Sequence, residues 1–595
     1  MSNNAGEQVV AQDWVTRLAD EVVEEARRRG FEGRLVCASG ISPSGPIHLG
    51  NFRELITPHL VADELKRRGI DCEHLLSWDD FDRFRRVPKG LDGVDESWEH
   101  YIGMPLSAVP APAGSQHASW AEHFKAPLIE AMAATGIEVR QISQTEQYRA
   151  GAYRDQILLA MHERRAIDHV LGQYRTLEAA ETARQQATGK GRRQDQKQQK
   201  LTAEQLQAQT EAQEGSGAAS EDDGSTGAAG YYPFKPFCGQ CGTDFTTVTG
   251  YDDQTHDLDY VCTKCQHTER VNLNTFTNGK LVWKVDWPMR WAYEQVLFEP
   301  SGVDHQSPGS SFVVGKDIAP IFGWSRPVGP MYAFVGIAGM AKMSSSKGGV
   351  PIPMDALEVM EAPVLRWLYA RRKPNQSFDV AFGPELQRLY DEWDSLNRKV
   401  RDGSAQPADL AAHLRATSTS EGDLPATPRP LPFRTIASVI DVTQGDEEQT
   451  VRILSDLDPA DPIGSTEDLR PRLDCAQRWM LGYVPEEERT VVRSEPDVAM
   501  LDSLTDEQRE SLQLLSDGLD EHWSLDGLTH LAYGVPKIQR GIDPAAKVKD
   551  PALSAAQRAF FGMLYRLLVG RDTGPRLPTL LLAIGADRVR ALIGH

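Results

Sequence analysis

The sequence predicts an α/β fold: a doubly wound parallel sheet, interrupted by a metal-bearing insertion and followed by an all-α C-terminal domain. Three observations carry that reading. Short apolar strands alternate with amphipathic helices over the first 150 residues, two C-x2-C pairs then break the alternation, and from about residue 385 no strand signal remains. At 595 residues the chain is too long for one core.

In order, residues 13–30 read as a helix, with Asp13 as N-cap, Leu18, Val22 and Val23 inward, and Gly30 as terminator. RLVCAS (34–39) is a strand, GISPSGP a loop, and a helix runs from about His48 to Arg68. CEHLLSW (72–78) is the next strand, followed by helix 119–135 and strand 137–143. A helical stretch (152–185) leads into residues 187–229, rich in Gln, Ala, Gly, Ser and acid. Such a segment cannot bury enough surface to offset its ordering entropy, so a mobile insert is expected. LVWKVDW (281–287) is read as a strand resuming the sheet, with a helix through Glu294, and MYAFVGI (331–337) as a further strand.

The hydrophobic fraction of 40% and charged fraction of 25% are ordinary for globular protein, and no apolar run approaches the roughly 20 residues that span a bilayer. The N-terminus lacks the basic-then-apolar pattern of a signal peptide, so a cytoplasmic address without a membrane partner is expected. Four of the seven cysteines form the CxxC pairs, which suits a reducing compartment. The net charge of −21 argues at first against nucleic acid. The acid is spread along the chain, however, and Arg outnumbers Lys more than twofold, a halophile-like composition. In molar salt the Debye length is roughly 3 Å, and RNA would then be held by short-range hydrogen bonds, stacking and shape.

Three motifs carry chemistry. In ISPSGPIHLGNFRE (41–54), His48, Gly50 and Asn51 stand where a strand has ended and a helix begins, so free amides and the helix dipole favour a polyphosphate. His48 can donate a hydrogen bond to a phosphate oxygen, and Gly50 leaves room for a purine. In MAKMSSSKGG (340–349), Lys342 and Lys347 bracket three hydroxyls, including Ser344 and Ser346, a set suited to a developing pyrophosphate. Cys238, Cys241, Cys262 and Cys265, spaced C-x2-C-x20-C-x2-C, fit a closed tetrahedral Zn2+ site of structural rather than catalytic type, with His267 a bystander.

The first two motifs, about 290 residues apart on βα connections of one sheet, resemble the HIGH and KMSKS signatures of the class I aminoacyl-tRNA synthetases. Ser345 stands where the latter has Lys. SWDDFDRFRRVP (77–88), VWKVDWPMRWAYEQVLFEPSGVDH (282–305) and YARRKPNQSFDVAFGPELQRLYDEWD (369–394) look like the class I lysyl enzymes of archaeal type, and about 80% of the chain shares the resemblance.

The resemblance implies a Rossmann-type catalytic domain in two halves (1–150 and 276–350), an insertion domain (151–275), a stem-contact region (351–390) and an α-helical anticodon-binding domain (391–595). It implies activation of L-lysine by ATP with Mg2+ and transfer to the 2′-hydroxyl of tRNA(Lys) by a monomer. His48, Lys342 and Lys347 would be catalytic, with Gly50, Asn51, Ser344 and Ser346 also on ATP. Gly40, Ser42, Trp283 and His305 would contact lysine, as would the unranked acids Asp79, Asp80, Asp286 and Asp304. YYPFKPF (231–237) could touch the acceptor end or simply pack, and Arg371, Arg372 and Lys373 could lie on the tRNA stem or be a solvated face. Two rivals stand beside this reading: a class I synthetase for another amino acid such as glutamate, or a synthetase-like RNA-binding protein without activity.

Overall fold

A computed structural model describes residues 13–175, 225–227 and 230–595, except positions 89, 308, 340–348, 444 and 457–460. The chain divides into two compact units. One comprises Met1–Ala356, Leu365–Val380 and Ala405–Leu424; the other comprises Leu357–Val364, Ala381–Ser404 and Pro425–His595.

In the first unit, helix α1 (Trp14–Arg29) is capped by Asp13, whose carboxylate accepts from the Thr16 amide at 2.8 Å, and it ends at Gly30, with φ of 62°. Leu18 and Val22 are buried on its inner face, while Val23 is only half-buried. Then follow β1 (Leu35–Ile41), α2 (Leu49–Arg67), β2 (Cys72–Trp78), α3 (Trp120–Ala134, capped by Ser119) and β3 (Arg140–Ser143). Helix α4 spans Trp283–Tyr293, and β4 is the short run Val296–Phe298.

The sheet order is β4-β1-β2-β3, all parallel, with Leu35 opposite Cys72, Leu75 opposite Arg140 and Val36 opposite Val296. Alternate residues leave opposite faces of a strand. Val36, Ala38, Leu75, Ile142 and Val296 therefore share a core with Trp287, Trp291 and Phe312, while the other face is covered by α1 and α2. The chain winds outward from β1 to β3 and then returns to β1's other edge. This makes a topological switch between β1 and β4, the place where open α/β sheets form their crevice.

Three expectations need correction. LVWKVDW is not a sheet strand: only Gly279–Leu281 is extended, paired with Phe234–Pro236, and helix begins at Trp283. The sheet resumes later, at β4. MYAFVGI forms two pieces outside the four-stranded sheet, Met331–Tyr332 beside Ser301–Gly302 and Val335–Ile337 beside Phe378–Val380. The helical stretch after residue 152 breaks at Glu163, between Arg154–His162 and residues 164–175. Of the segment expected to be mobile (187–229), Ser225–Gly227 pairs with Gly230–Tyr232, and the rest lies outside the described residues.

The second unit contains no strand among its described residues. Its helices include Glu385–Arg401, Phe433–Thr443, Arg472–Tyr483, Asp506–Gly518, Leu525–Ile538 and Pro551–Val569. Buried Arg472 fastens three of its segments, donating to Glu361 at 2.7 Å and Asp394 at 2.8 Å. Among the described residues no helix is long and apolar enough to cross a membrane.

Candidate active site

The amino end of α2 follows β1 at the switch point. His48 is its N-cap: Nδ1 accepts from the Gly50 amide at 3.1 Å and the Asn51 amide at 3.4 Å, and Asn51 Oδ1 accepts from the His48 amide at 3.2 Å. With Nδ1 committed as an acceptor, the proton of a neutral imidazole sits on Nε2. Burial lowers the His48 pKa to about 4, so the ring is a neutral donor at physiological pH. The Leu49 amide donates to Pro351 O at 3.3 Å, and the Tyr369 hydroxyl donates to Leu49 O at 2.8 Å. The chain following the MSSSK stretch is thereby joined to this helix end. Lys342, Ser344, Ser346 and Lys347 themselves lie outside the described residues.

Gly40 is the penultimate residue of β1, Ser42 follows the strand half-buried, and Asp79 stands just after β2, its amide donating to Ile41 O at 2.9 Å. A Cβ added at Gly40 would lie 3.8 Å from Asp79 Oδ2. Arg290, on α4, donates to Asp79 Oδ1 at 2.7 Å, to Ser77 Oγ at 2.8 Å and to Asp286 Oδ2 at 3.0 Å. Burial pushes Asp79 up to about 6 against the pull of Arg290. Burial alone would lower Arg290, but Asp286 and Asp79 together hold it well above the usual guanidinium value.

The four sequence-singled acids separate here. Asp286 is fully buried and enclosed by Tyr148 (2.5 Å), Arg290 and Lys280 (3.4 Å). Asp80 is buried as the partner of Lys125, Ser143 and the Thr145 amide. Asp304 lies exposed in the turn Val303–His305. Asp79, also buried, is the one of the four that lies against the end of β1, beside Gly40.

The tryptophans at 283, 287 and 291 share one face of α4. Trp283 and Trp287 stack, with ring centroids 5.0 Å apart at 24°, and Trp287 meets Trp291 at 5.4 Å. Trp287 and Trp291 are core, and Trp283 is half-buried at the open end of the ladder. His305 lies edge-on to Trp287 at 5.4 Å.

Two acids that sequence reasoning left without a role sit in this crevice. Glu299, just after β4, accepts from both Trp287 Nε1 (3.1 Å) and Trp291 Nε1 (2.5 Å), and burial pushes it up to about 7. Glu54, on α2, accepts from the Tyr332 hydroxyl at 2.9 Å. Burial pushes it up to about 8, with Glu299 and Asp79 adding repulsion, while Tyr332 and the Gly40 backbone favour the ionised form. Among the described residues no cation pairs with Glu54. An acid in the first turns of a helix is ordinarily a dipole partner, so its position in HLGNFRE gave no distinctive signal.

The four cysteine sulfurs lie within 4.8 Å of one another, with Cys238–Cys265 and Cys241–Cys262 each at 3.6 Å. Zn–S bonds of about 2.3 Å imply sulfur separations near 3.8 Å in a tetrahedron, so the donor set fits a metal ion. Both knuckles turn alike: the Gly242 amide donates to Cys238 O and the Gln266 amide to Cys262 O, each at 2.9 Å, with positive φ at Gly242 and Gln266. His267 faces Glu269 at 3.6 Å, away from this role. Tyr231, Tyr232, Phe234 and Phe237 are buried in the core beneath the module, which accounts for the YYPFKPF aromatics by packing. Arg371 lies over Trp367 at 4.0 Å and Arg372 over Phe378 at 4.6 Å, and Lys373 is exposed.

A parallel sheet with a histidine-capped helix end at its switch point, where the Gly50 and Asn51 amides expected to be free are taken by His48 Nδ1, is an arrangement of the doubly wound α/β class. The family model for class I tRNA synthetases matches residues 12–422. The chain belongs to that family. It is 61% identical to a lysine–tRNA ligase of Streptomyces coelicolor over 98% of each chain. It is also 31% identical to a lysine–tRNA ligase of Pyrococcus horikoshii, over 96% of this chain and 97% of that one. The lysine–tRNA ligase of Thermococcus kodakarensis is likewise 31% identical, over 97% and 98%.

Proposed function

We propose that this chain activates L-lysine with MgATP and transfers the lysyl group to tRNA(Lys). The observation that carries the reading is near-full-length identity with lysine–tRNA ligases, 61% in the first of them. In this reading the triphosphate lies beside the amino end of α2, where the helix dipole favours it while His48 Nδ1 holds the Gly50 and Asn51 amides, and His48 Nε2–H donates to the α-phosphate as the lysine carboxylate attacks phosphorus. Donors already in place at the position of developing charge lower the barrier without reorganisation. Lys342 and Lys347, with Ser344 and Ser346, would carry the pyrophosphate that leaves. A terminal ribose hydroxyl of the tRNA then attacks the lysyl carbonyl and AMP departs, so no side-chain nucleophile is required.

Lysine's side chain brings an ammonium on an apolar stem. Glu54, raised by burial and paired with no cation among the described residues, is the partner we assign to that ammonium, with Tyr332 fixing its orientation. Trp283 and His305 would wall the stem, and Gly40, Ser42 and Asp79 would contact the amino-acid head. Asp286 acts through Arg290 rather than on the ligand, and exposed Asp304 is a rim position. The helical unit would receive the anticodon, and Arg371, Arg372 and Lys373 the stem.

Zinc on Cys238, Cys241, Cys262 and Cys265 would supply a structural crosslink. One zinc per chain is expected by atomic emission. Cys262→Ser should lose the metal and render residues 237–275 sensitive to protease; full protection in a zinc-free protein would refute the assignment. The function as a whole is tested by charging: radiolabelled lysine should become acid-precipitable on tRNA(Lys) in an ATP-dependent way. Absence of charging by folded, zinc-loaded protein would reject it.

A further inference from the structure

The tryptophan that walls the amino-acid pocket in this reading is itself held by a guanidinium that the reaction does not consume. Trp283, Asp286 and Arg290 fall at helical spacing along one face of α4. Arg290 lies with Cζ 5.1 Å from the centroid of the Trp283 ring. The same group reaches across to the end of β2, donating to Asp79 at 2.7 Å and Ser77 at 2.8 Å, while its second Nη holds Asp286 at 3.0 Å. Arg290 is 6% exposed. One planar cation thus joins a strand end, a helix and an aromatic wall, a combination of stacking and forked donation that an ammonium cannot reproduce.

We propose that Arg290 is a positioning residue for amino-acid selection: it ties Asp79 to α4, covers the Trp283 ring, and leaves Glu54 as the acid that meets the ligand's side-chain ammonium. The inference rests on the lysine-pocket reading above. Its physical content is a division of labour among acids. Asp286 keeps Tyr148 and Lys280 if Arg290 is removed. Asp79, in contrast, loses its directly bonded cation and becomes a second unneutralised carboxylate beside Gly40. A ligand carrying two ammonium groups then finds two competing seats, and the Trp283 wall loses its support.

The test is steady-state ATP–pyrophosphate exchange with Arg290→Lys, Arg290→Met and Ser77→Ala. KM for lysine should rise about 10-fold in the Lys variant and about 100-fold in the Met variant, with KM for ATP within about twofold of the parent. Ser77→Ala, which removes the hydroxyl that accepts from Arg290 and Gln144 but no charge, should raise it about threefold. Near-ultraviolet circular dichroism should show the stacked Trp283–Trp287 signal altered in the Lys and Met variants. If the Met variant does not fold, the Lys and Ala variants decide. A folded Lys variant with the parent's lysine KM and an unchanged tryptophan signal overturns the proposal, as does a parallel rise in both Michaelis constants. Failure of the parent protein to exchange with lysine would instead remove the pocket reading beneath it.

Discussion

Glu54→Gln should raise KM for lysine by about 100-fold or more, with KM for ATP nearly unmoved. A charge-assisted hydrogen bond in a buried site contributes about 1.5–3 kcal/mol, and the variant also leaves the ligand's ammonium desolvated against a neutral amide. The acid is chemically prepared for a cation: burial holds its pKa at about 8, so in the ligand-free protein it retains a proton at neutral pH. Binding an ammonium must then expel that proton. KM for lysine should therefore fall as pH rises from about 6 toward 8, by at most about tenfold per unit, and level off above the raised pKa. The groups facing Glu54 are Tyr332, Glu299 and Asp79. Glu299, at about 7, and Asp79, at about 6, ionise over the same window and strengthen the attraction in the same sense. In Glu54→Gln the dependence due to Glu54 disappears. A variant with the parent's KM and pH profile would contradict the assignment of the ε-ammonium to this residue.

His48→Asn should lower the maximal rate of lysine-dependent exchange by about 100- to 1,000-fold, the cost of removing one donor from a site of developing charge. The choice of Asn separates chemistry from folding. His48 caps α2 through Nδ1, and an Asn side chain supplies an equivalent acceptor, so thermal stability should stay within about 1 kcal/mol. What the variant lacks is the Nε2–H donor. Because the His48 pKa is lowered to about 4, the imidazole does not titrate between pH 6 and 9, and the parent's maximal rate should show no ionisation assignable to it there. Retention of the parent rate by a stable His48→Asn protein would remove His48 from the mechanism.

How legible this was from sequence depended on whether each feature is local. Asp13 and Gly30 mark the ends of α1 because a cap and a left-handed terminator act within a few residues. The C-x2-C pairs draw attention because knuckle geometry is set within five residues. The stretch 281–287 misleads because Leu281, Val282, Trp283, Val285 and Trp287 fit a strand as readily as a helix. The recurrence of Trp at 283, 287 and 291 belongs to the helical period, and it is the pattern that prevails once both Trp287 and Trp291 reach Glu299. Strand β4 is three buried residues long, too short for periodicity to register. The acids could not be ranked for a different reason. Asp79 and Arg290 are 211 residues apart and Glu54 and Tyr332 are 278 apart, so which acid is neutralised and which stays open is decided by the fold.

The central claim is that this crevice activates lysine. Amino-acid-dependent ATP–pyrophosphate exchange, run with each of the twenty amino acids, with and without tRNA, in molar potassium chloride, tests it most directly. Exchange with lysine alone, falling to a small fraction in Glu54→Gln, is the result expected. Exchange with a different amino acid, or none from folded zinc-loaded protein under any condition, would contradict it.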